Sequence, residues 1–405
     1  FVGRIPFEGR MFMKALEGLR VLDLSRVLAG PFSTMVLGDL GAEIIKIEQP
    51  GVGDDSRAFG PFIGEESSYF MSLNRGKKSI TLNLKDDADR AVFIDLVKES
   101  DIVVENYRPG TMAKLGFEYE DLKKVNPRII YAAISGFGHS GPYSTRPAYD
   151  MIVQAMGGIM SITGEPGQAP VRVGSSIGDI TAGIFGTVGI LAAVEARHTT
   201  GEGQKVDVAM LDCQVAILEN AIARYLVNGE VPVPLGSRHP SITPFQAFPT
   251  KDYYVIMSAG NDALWAKLCN VMGTPELIND PKFATNRDRN DNVVELSEII
   301  SKISVTKTTA EWMDVLEKGG LPVGPINTVD KVVHDPQIEA RNMIVEVEHP
   351  VAGKMKFAGN PIKLSATPGE VTVPAPTLGQ HTDEILKDLL GWSEDQIGVY
   401  NAQKK

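Results

Sequence analysis

Apolar and polar positions alternate along the first half of the chain with two different periods. Short apolar runs at 20–24 (Arg-Val-Leu-Asp-Leu) and 43–48 (Glu-Ile-Ile-Lys-Ile-Glu) predict buried strands. Between them a helix opens at Gly30-Pro31 and stops at Gly41, with proline near the start and glycine past the end. The pattern repeats as strand 79–84, helix 87–98 with Ala88, Val92 and Leu96 on one face, strand 101–105, helix 119–125 and strand 128–134. Such alternation predicts a parallel sheet, because parallel strands need long crossovers and helices supply them.

Gly183, Gly186 and Gly189 then recur within a helix from about 181 to 198. Each glycine costs about 0.8–1 kcal/mol against alanine in a helix, so the spacing predicts close packing on a strand. A strand at 205–211 and a helix at 212–227 follow. Prolines 232, 234, 240, 244 and 249 mark residues 229–250 as a linker or active-site loop. A second block reads as strand 253–259 and helices near 261–273, 291–304 and 309–318, the last behind a Thr308/Glu311 capping-box spacing. Residues 343–348 and 354–358 read as a hairpin, and helical periodicity returns at 383–390 and after Ser393.

The expected fold class is α/β. The pattern gives a large parallel-sheet block over 11–228, the linker, a smaller α+β block over 251–330, and a return linker with C-terminal helices over 331–405. Residues 1–10 read as a linker segment, since they lack the basic start and long apolar core of a signal peptide.

Composition narrows the function classes. The 405 residues carry 40 Lys+Arg against 51 Asp+Glu, a net charge of −11, with 43% hydrophobic residues, which excludes a disordered or fibrous chain. An acidic balance without a Lys/Arg-rich arm argues against a nucleic-acid binder. The uncharged run Ile180–Val194 falls short of the ~20 residues of a membrane span. Cys213 and Cys269 lack partners at ligand spacing, so neither a disulfide framework nor a metal site is expected, and a cytoplasmic location fits.

The first strand, turn and helix invite a dinucleotide-binding reading, but G-x-G-x-x-G is absent, and those glycines let the backbone approach a pyrophosphate. Positive charge concentrates at Lys46, at Asn74-Arg75-Gly76-Lys77-Lys78 and at Glu105-Asn106-Tyr107-Arg108. Asn106 and Arg108, just past a strand, suit a phosphorylated ligand; for the lysines a solvated surface is the competing reading. Asp179, ahead of the glycine helix, reads either as an N-cap or as a carboxylate nucleophile whose flanking glycines leave room for a substrate carbonyl. Asp150 is a second carboxylate for the same pocket. There is no G-x-S-x-G, and Cys213 sits among apolar positions, so serine- or cysteine-type hydrolysis is disfavoured. Arg238 and His239, in the proline-rich loop, are candidates for a substrate carboxylate clamp, with a bare linker as the alternative.

Taken together, Gly18 to Pro31, Leu40 to Glu48, Asn74 to Ser79, Val104 to Gly110, Gly178-Asp179, Gly201 to Asp207 and Leu378 to Asp383 resemble the class III coenzyme A transferases. The resemblance implies a homodimer of interlocked, ring-like chains, each with a large Rossmann-like CoA-binding domain over 11–228, completed by 340–405, and a smaller domain. It implies Asp179 as nucleophile, acting on an acyl-CoA through an aspartyl anhydride and an aspartyl-CoA thioester, with no cofactor or metal beyond CoA itself. It places CoA along Val27, Leu28 and Ala29, Leu82 and Lys85, Asn106, Tyr107 and Arg108, and Lys114, with Tyr149 and Asp150 near the thioester.

Two departures matter. Leu28 stands where some members carry glutamine, and the loop Ser237 to Thr243 replaces the glycine-rich loop of formyl-CoA transferases. The region Gly236 to Phe248 instead resembles succinyl-CoA-dependent members, so succinyl-CoA and a small dicarboxylic acid are the expected substrates, with Arg238 on the distal carboxylate. An acyl-CoA racemase of the α-methylacyl type is the alternative; it requires a histidine where Tyr149 stands, and a tyrosine is a poor base near neutral pH. A non-catalytic CoA-binding protein requires Asp179 to be only a cap.

Overall fold

A computed structural model describes residues 13–402 and 404; the expectation for residues 1–10 lies outside them. The chain forms two compact units. One takes the chain through Ile159, then Arg172–Ala223 and Gln337–Lys405; the other takes Met160–Val171 and Arg224–Pro336. The segment expected as a continuous large domain therefore lends residues 160–171 and 224–228 to the second unit.

In the first unit the chain runs β1 (Arg20–Asp23), α1 (Ala29–Asp39), β2 (Glu43–Glu48), α2 (Ser68–Asn74), β3 (Lys77–Thr81), α3 (Asp87–Lys98) and β4 (Ile102–Glu105). It continues through α4 (Thr111–Leu115), α5 (Tyr119–Val125), β5 (Ile130–Ser135), α6 (Asp150–Met156), α7 (Ile177–Thr200), β6 (Lys205–Ala209) and α8 (Met210–Ile217). The strands form a six-stranded sheet in the order β3-β2-β1-β4-β5-β6, every pair parallel. Successive strand residues serve opposite faces. Leu22, Ile45, Val103 and Tyr131 join α3 and the C-terminal Leu386, Ile397 and Tyr400 on one side. Val21, Ile44, Ile102 and Ile130 join α1 and α7 on the other.

The C-terminal segment is part of this core rather than a tail. The Tyr400 hydroxyl donates to the buried carboxylate of Asp89, on α3, at 2.6 Å. Helix α7 has 24 residues and is long and apolar enough to cross a membrane, but half of its most apolar window is buried inside the fold, as in a core helix. Its glycines have a packing reason. A Cβ on Gly183 would lie 2.8 Å from the carbonyl oxygen of Ala29, one on Gly186 2.7 Å from Cδ1 of Ile134, and one on Gly189 2.7 Å from Cγ1 of Val206.

The second unit carries an antiparallel sheet of β7 (Phe245–Pro249), β8 (Tyr254–Ser258) and β9 (Val323–Pro325) in the order β9-β8-β7. It packs on α9 (Asp262–Met272), α10 (Val293–Ser304) and α11 (Thr309–Lys318) around Phe248, Trp265 and Trp312. The Thr308/Glu311 capping box forms as the spacing predicted. Part of the expected 229–250 linker is thus strand; its bracketing prolines are tolerated because β7 is an edge strand. The hairpin of β10 (Ile344–His349) and β11 (Gly353–Ala358) belongs to the first unit.

Two further expectations shift. The helix expected at 212–227 breaks into Met210–Ile217 and Asn220–Asn228 around Glu219, whose φ is 48°. Strand β3 starts at Lys77 rather than 79, because Lys77 is a buried residue whose charge is matched inside the protein. Asp23, at the end of β1, is 0% exposed and accepts from the Lys77 ammonium at 2.8 Å, the Thr34 hydroxyl at 2.7 Å and the Ser25 amide at 2.9 Å. Lys46, equally buried, pairs with Asp54 at 2.9 Å and donates to the Ser25 carbonyl at 2.9 Å. Burial alone would raise the Asp23 pKa, but Lys77, Lys46 and the hydrogen bonds outweigh it and hold the carboxylate well below its usual range. Burial brings Lys77 down to about 8, against the pull of Asp23. Removing one partner of such a pair strands the other, so Lys77→Met is expected to lower stability by about 3–5 kcal/mol in urea unfolding. A loss below about 1 kcal/mol would contradict this account.

Candidate active site

The order of the parallel sheet reverses between β1 and β4, and in open α/β sheets the crevice beyond the strand carboxyl ends at that point receives ligands. A cleft of about 530 Å³ lies there. Of the residues expected to hold CoA, Leu82, Lys85, Tyr107 and Arg108 line it. Lys85 and Arg108 are exposed, and among the described residues neither side chain has an ion-pair or hydrogen-bond partner, so both are free for an anionic ligand. Arg26 also lines the cleft, ion-paired to Asp55 at 3.0 Å and lying over the Tyr107 ring. Sequence reasoning passed over Arg26, whose only signal was its place directly after the first strand.

Other expected contacts are placed differently. Asn106 spends its side chain on the β1–α1 turn, accepting from the Arg26 amide at 2.8 Å and donating to the Arg26 carbonyl at 2.7 Å. It shapes the cleft rather than lining it. Leu28 and Ala29 are buried, and Val27 takes a φ of 67° while its amide donates to Asp54 at 3.0 Å. Lys114 is exposed on α4 away from the cleft lining. The cation-rich segment is structural rather than ligand-binding or loosely solvated. Arg75 pairs with Asp39 at 2.8 Å, Lys77 with Asp23 at 2.8 Å, and Lys78 bridges Glu43 and Glu384, each at 2.9 Å.

Asp179 lies in the first turn of α7, but it is not the N-cap. That position is Ser176, whose side chain makes no capping bond. The Gly178 amide is satisfied from outside the helix by Asp150 Oδ1 at 2.8 Å. The Asp179 carboxyl, half-buried, has no hydrogen-bond or ion-pair partner among the described residues. Burial, and then the charge of Asp150, push its pKa up to about 7. Residues 179 and 183 stand one turn apart on one helix face, and at Gly183 that face packs against the Ala29 carbonyl at the start of α1. The Tyr69 phenol on α2 feels this cluster as well: burial, then Asp179, Asp54 and Asp150, raise its pKa.

Asp150 itself is 8% exposed, and both its oxygens are engaged, the second by the Gln154 side-chain amide at 2.7 Å. Tyr149 beside it, the other residue expected near the thioester, is 78% exposed. Arg238 and His239 belong to the second unit. The His239 ring stacks on Phe245 and its Nδ1 accepts from the Ser241 amide at 3.1 Å, while the Arg238 side chain has no hydrogen-bond or ion-pair partner among the described residues.

The sequence pattern described as CoA-transferase family III matches residues 16–382. The chain belongs to that family. It is 47% identical over 350 residues to the acetyl-CoA:oxalate CoA-transferase of Acetobacter aceti, covering 86% of this chain and 89% of that protein. It is 44% identical over 386 residues to the succinyl-CoA:glutarate CoA-transferase of Mus musculus, covering 95% and 88%. Among solved structures, a CAIB/BAIF family protein from Brucella suis superposes with a TM-score of 0.82 at 38% identity, covering 93% of this chain and 99% of that one.

In this family III chain the unpaired Asp179 carries a thermodynamic signature. Its folded pKa lies above the ordinary value of 3.8, so ionising it costs the folded state, and stability falls as pH rises toward about 7. Asp179→Asn removes that cost. The variant is expected to melt a few degrees higher than wild type at about pH 8 and to converge with it near about pH 4, by calorimetry. Equal melting at about pH 8 would contradict the raised pKa.

Proposed function

We propose that this chain moves CoA from succinyl-CoA to a small dicarboxylic acid, with Asp179 as the nucleophile. The single observation that carries the reading is the Asp179 carboxyl itself: half-buried, unpaired, and relieved of any capping duty by Asp150. The relatives named for succinyl-CoA support the donor, among them the succinyl-CoA:mesaconate CoA-transferase of Haloarcula marismortui at 41% identity.

The chemistry balances without an added reductant or oxidant. An Asp179 oxygen attacks the thioester carbonyl, giving a mixed anhydride and expelling CoA thiolate. The thiolate attacks the aspartyl carbonyl, releasing succinate and leaving CoA on Asp179 as a thioester. The incoming carboxylate attacks that carbonyl and expels the thiolate again, which takes the new acyl group and frees Asp179. A carboxylate is a weak nucleophile in water, and holding it against the bound thioester can supply effective molarities of about 10⁵–10⁸ M. Remote contacts to the CoA body provide the binding energy for that placement. Lys85, Tyr107 and Arg108 on the cleft are the residues we assign to CoA, with the turn of Val27 to Ala29.

We also assign an interlocked homodimer. The apolar side chains of Ile184, Phe185 and Val188 on α7 and of Met151 and Ile152 on α6 are all more than two-fifths exposed in the single chain, and a partner subunit would cover them.

Wild-type protein mixed with succinyl-CoA and quenched with hydroxylamine is expected to carry a hydroxamate on the Asp179 peptide by mass spectrometry, and Asp179→Asn is expected to carry none and to lose turnover. Because attack requires the ionised carboxyl, kcat/KM should rise with pH through about 7. No adduct across a panel of acyl-CoA donors would end the nucleophile assignment. For the acceptor, Arg238→Ala is expected to raise KM for glutarate at least tenfold while leaving KM for succinyl-CoA near wild type, a loss of about 1.4 kcal/mol or more. An unchanged glutarate KM would remove Arg238 from the site.

A further inference from the structure

We propose that Asp150 is a positioning residue for the attacking carboxylate, stapling the start of α7 through Gly178 and setting a fixed negative charge beside Asp179. The inference rests on the nucleophile reading of Asp179 and adds to it a residue that does not touch the reacting atoms.

The staple is a chain of three hydrogen bonds. The Val173 amide donates to Gln154 Oε1 at 2.9 Å, Gln154 Nε2 donates to Asp150 Oδ2 at 2.7 Å, and the Gly178 amide donates to Asp150 Oδ1 at 2.8 Å. Gln154 is 0% exposed, and its amide orientation is fixed because each end has a defined partner. The two main-chain amides so tied, at 173 and 178, bracket the turn that delivers Asp179. Space enforces the same contact: a Cβ on Gly178 would lie 2.7 Å from Cγ2 of Val153 and 3.0 Å from Asp150 Oδ1, so only glycine lets α6 come this close.

A cap alone does not need a charge, since asparagine serves an N-terminal amide about as well as aspartate. A carboxylate at this place does something further. It repels the neighbouring Asp179 carboxylate and makes it more basic, and a more basic carboxylate is the stronger nucleophile toward a thioester. Among the described residues, the titratable or charged side chains that act on the pair are Tyr69 from α2 and Arg172 from the segment before α7. Arg172 stands 3.8 Å from Asp150 Oδ2 with its side chain 46% exposed, so its charge is screened by water and leaves most of the Asp150 field in place.

The test is the pH dependence of turnover with succinyl-CoA and glutarate in full-length Asp150→Asn, alongside hydroxylamine trapping of the wild type. Asparagine keeps the acceptor for Gly178 and removes the charge, and its amide nitrogen gives up the bond from Gln154 Nε2, a loss that the Gln154→Ala variant measures separately. The acid limb of the kcat profile is expected to move to lower pH, with KM for succinyl-CoA within about twofold of wild type. A limb at the wild-type pH would overturn the charge role, because a purely structural residue would leave it there. If Asp150→Asn does not fold, Gln154→Ala loosens one anchor and keeps the charge. Its kcat is expected to fall about tenfold at unchanged KM for succinyl-CoA, and an unchanged kcat would overturn the staple. Absence of the Asp179 hydroxamate in wild type would instead overturn the underlying transferase chemistry, so the two failures are told apart.

Discussion

The first unit is organised around a carboxylate with no access to water. Asp23 closes β1, and its charge is tolerated only because Lys77 from β3, the Thr34 hydroxyl from α1 and the Ser25 amide converge on it. Desolvating a carboxylate and an ammonium together costs several kcal/mol per ion before their attraction returns it, so such a cluster forms only where its geometry is fully specified. Here that geometry defines the carboxyl end of the sheet. Lys46 ties the same end to Asp54, and Glu48 binds Arg57 through two bonds of 2.7 Å and accepts from the Ser79 hydroxyl at 2.7 Å. The floor of the cleft is thereby rigid while its rim, with Lys85 and Arg108, keeps free cations.

That division explains what could be read from the sequence. Strand β2 was legible to the residue because a run apolar on both faces has no other stable place in an α/β protein. The parallel architecture, most helix limits and the capping box at Thr308 were legible for the same reason: each is set by neighbours within a few positions. Lys77 was not, because a charged residue reads as exposed unless its counter-ion is known, and Asp23 lies 54 positions away. Asp150 and Gly178 are 28 positions apart, and nothing in either segment announces that one caps the other. After β4, the strand end predicts where a side chain begins but not which partner it meets. Asn106 met the main chain of Arg26, and Arg108 met solvent.

On the proposed reading, the two carboxylates near the start of α7 hold roles that a single aspartate could not combine. A capping carboxylate is stabilised by the amides it accepts from, and that stabilisation is what makes it a poor nucleophile. By giving the cap to Asp150, the fold leaves Asp179 without donors and raises its basicity, at the cost of stability near neutral pH. The glycines at 178 and 183 belong to the same arrangement, since each removes a Cβ that would push α7 away from α6 or α1.

The bond between Tyr400 and Asp89 joins positions 311 apart, and Leu386 and Ile397 fill the face over β1 and β2. During synthesis at roughly 5–20 residues per second, that face therefore stays uncovered for many seconds after its strands have left the ribosome. The second unit, whose last strand ends at Pro325, is fully emerged earlier. Vectorial translation thus delivers the whole second unit before the C-terminal segment arrives to cover the sheet of the first, so that sheet face stays open to solvent longest in the nascent chain.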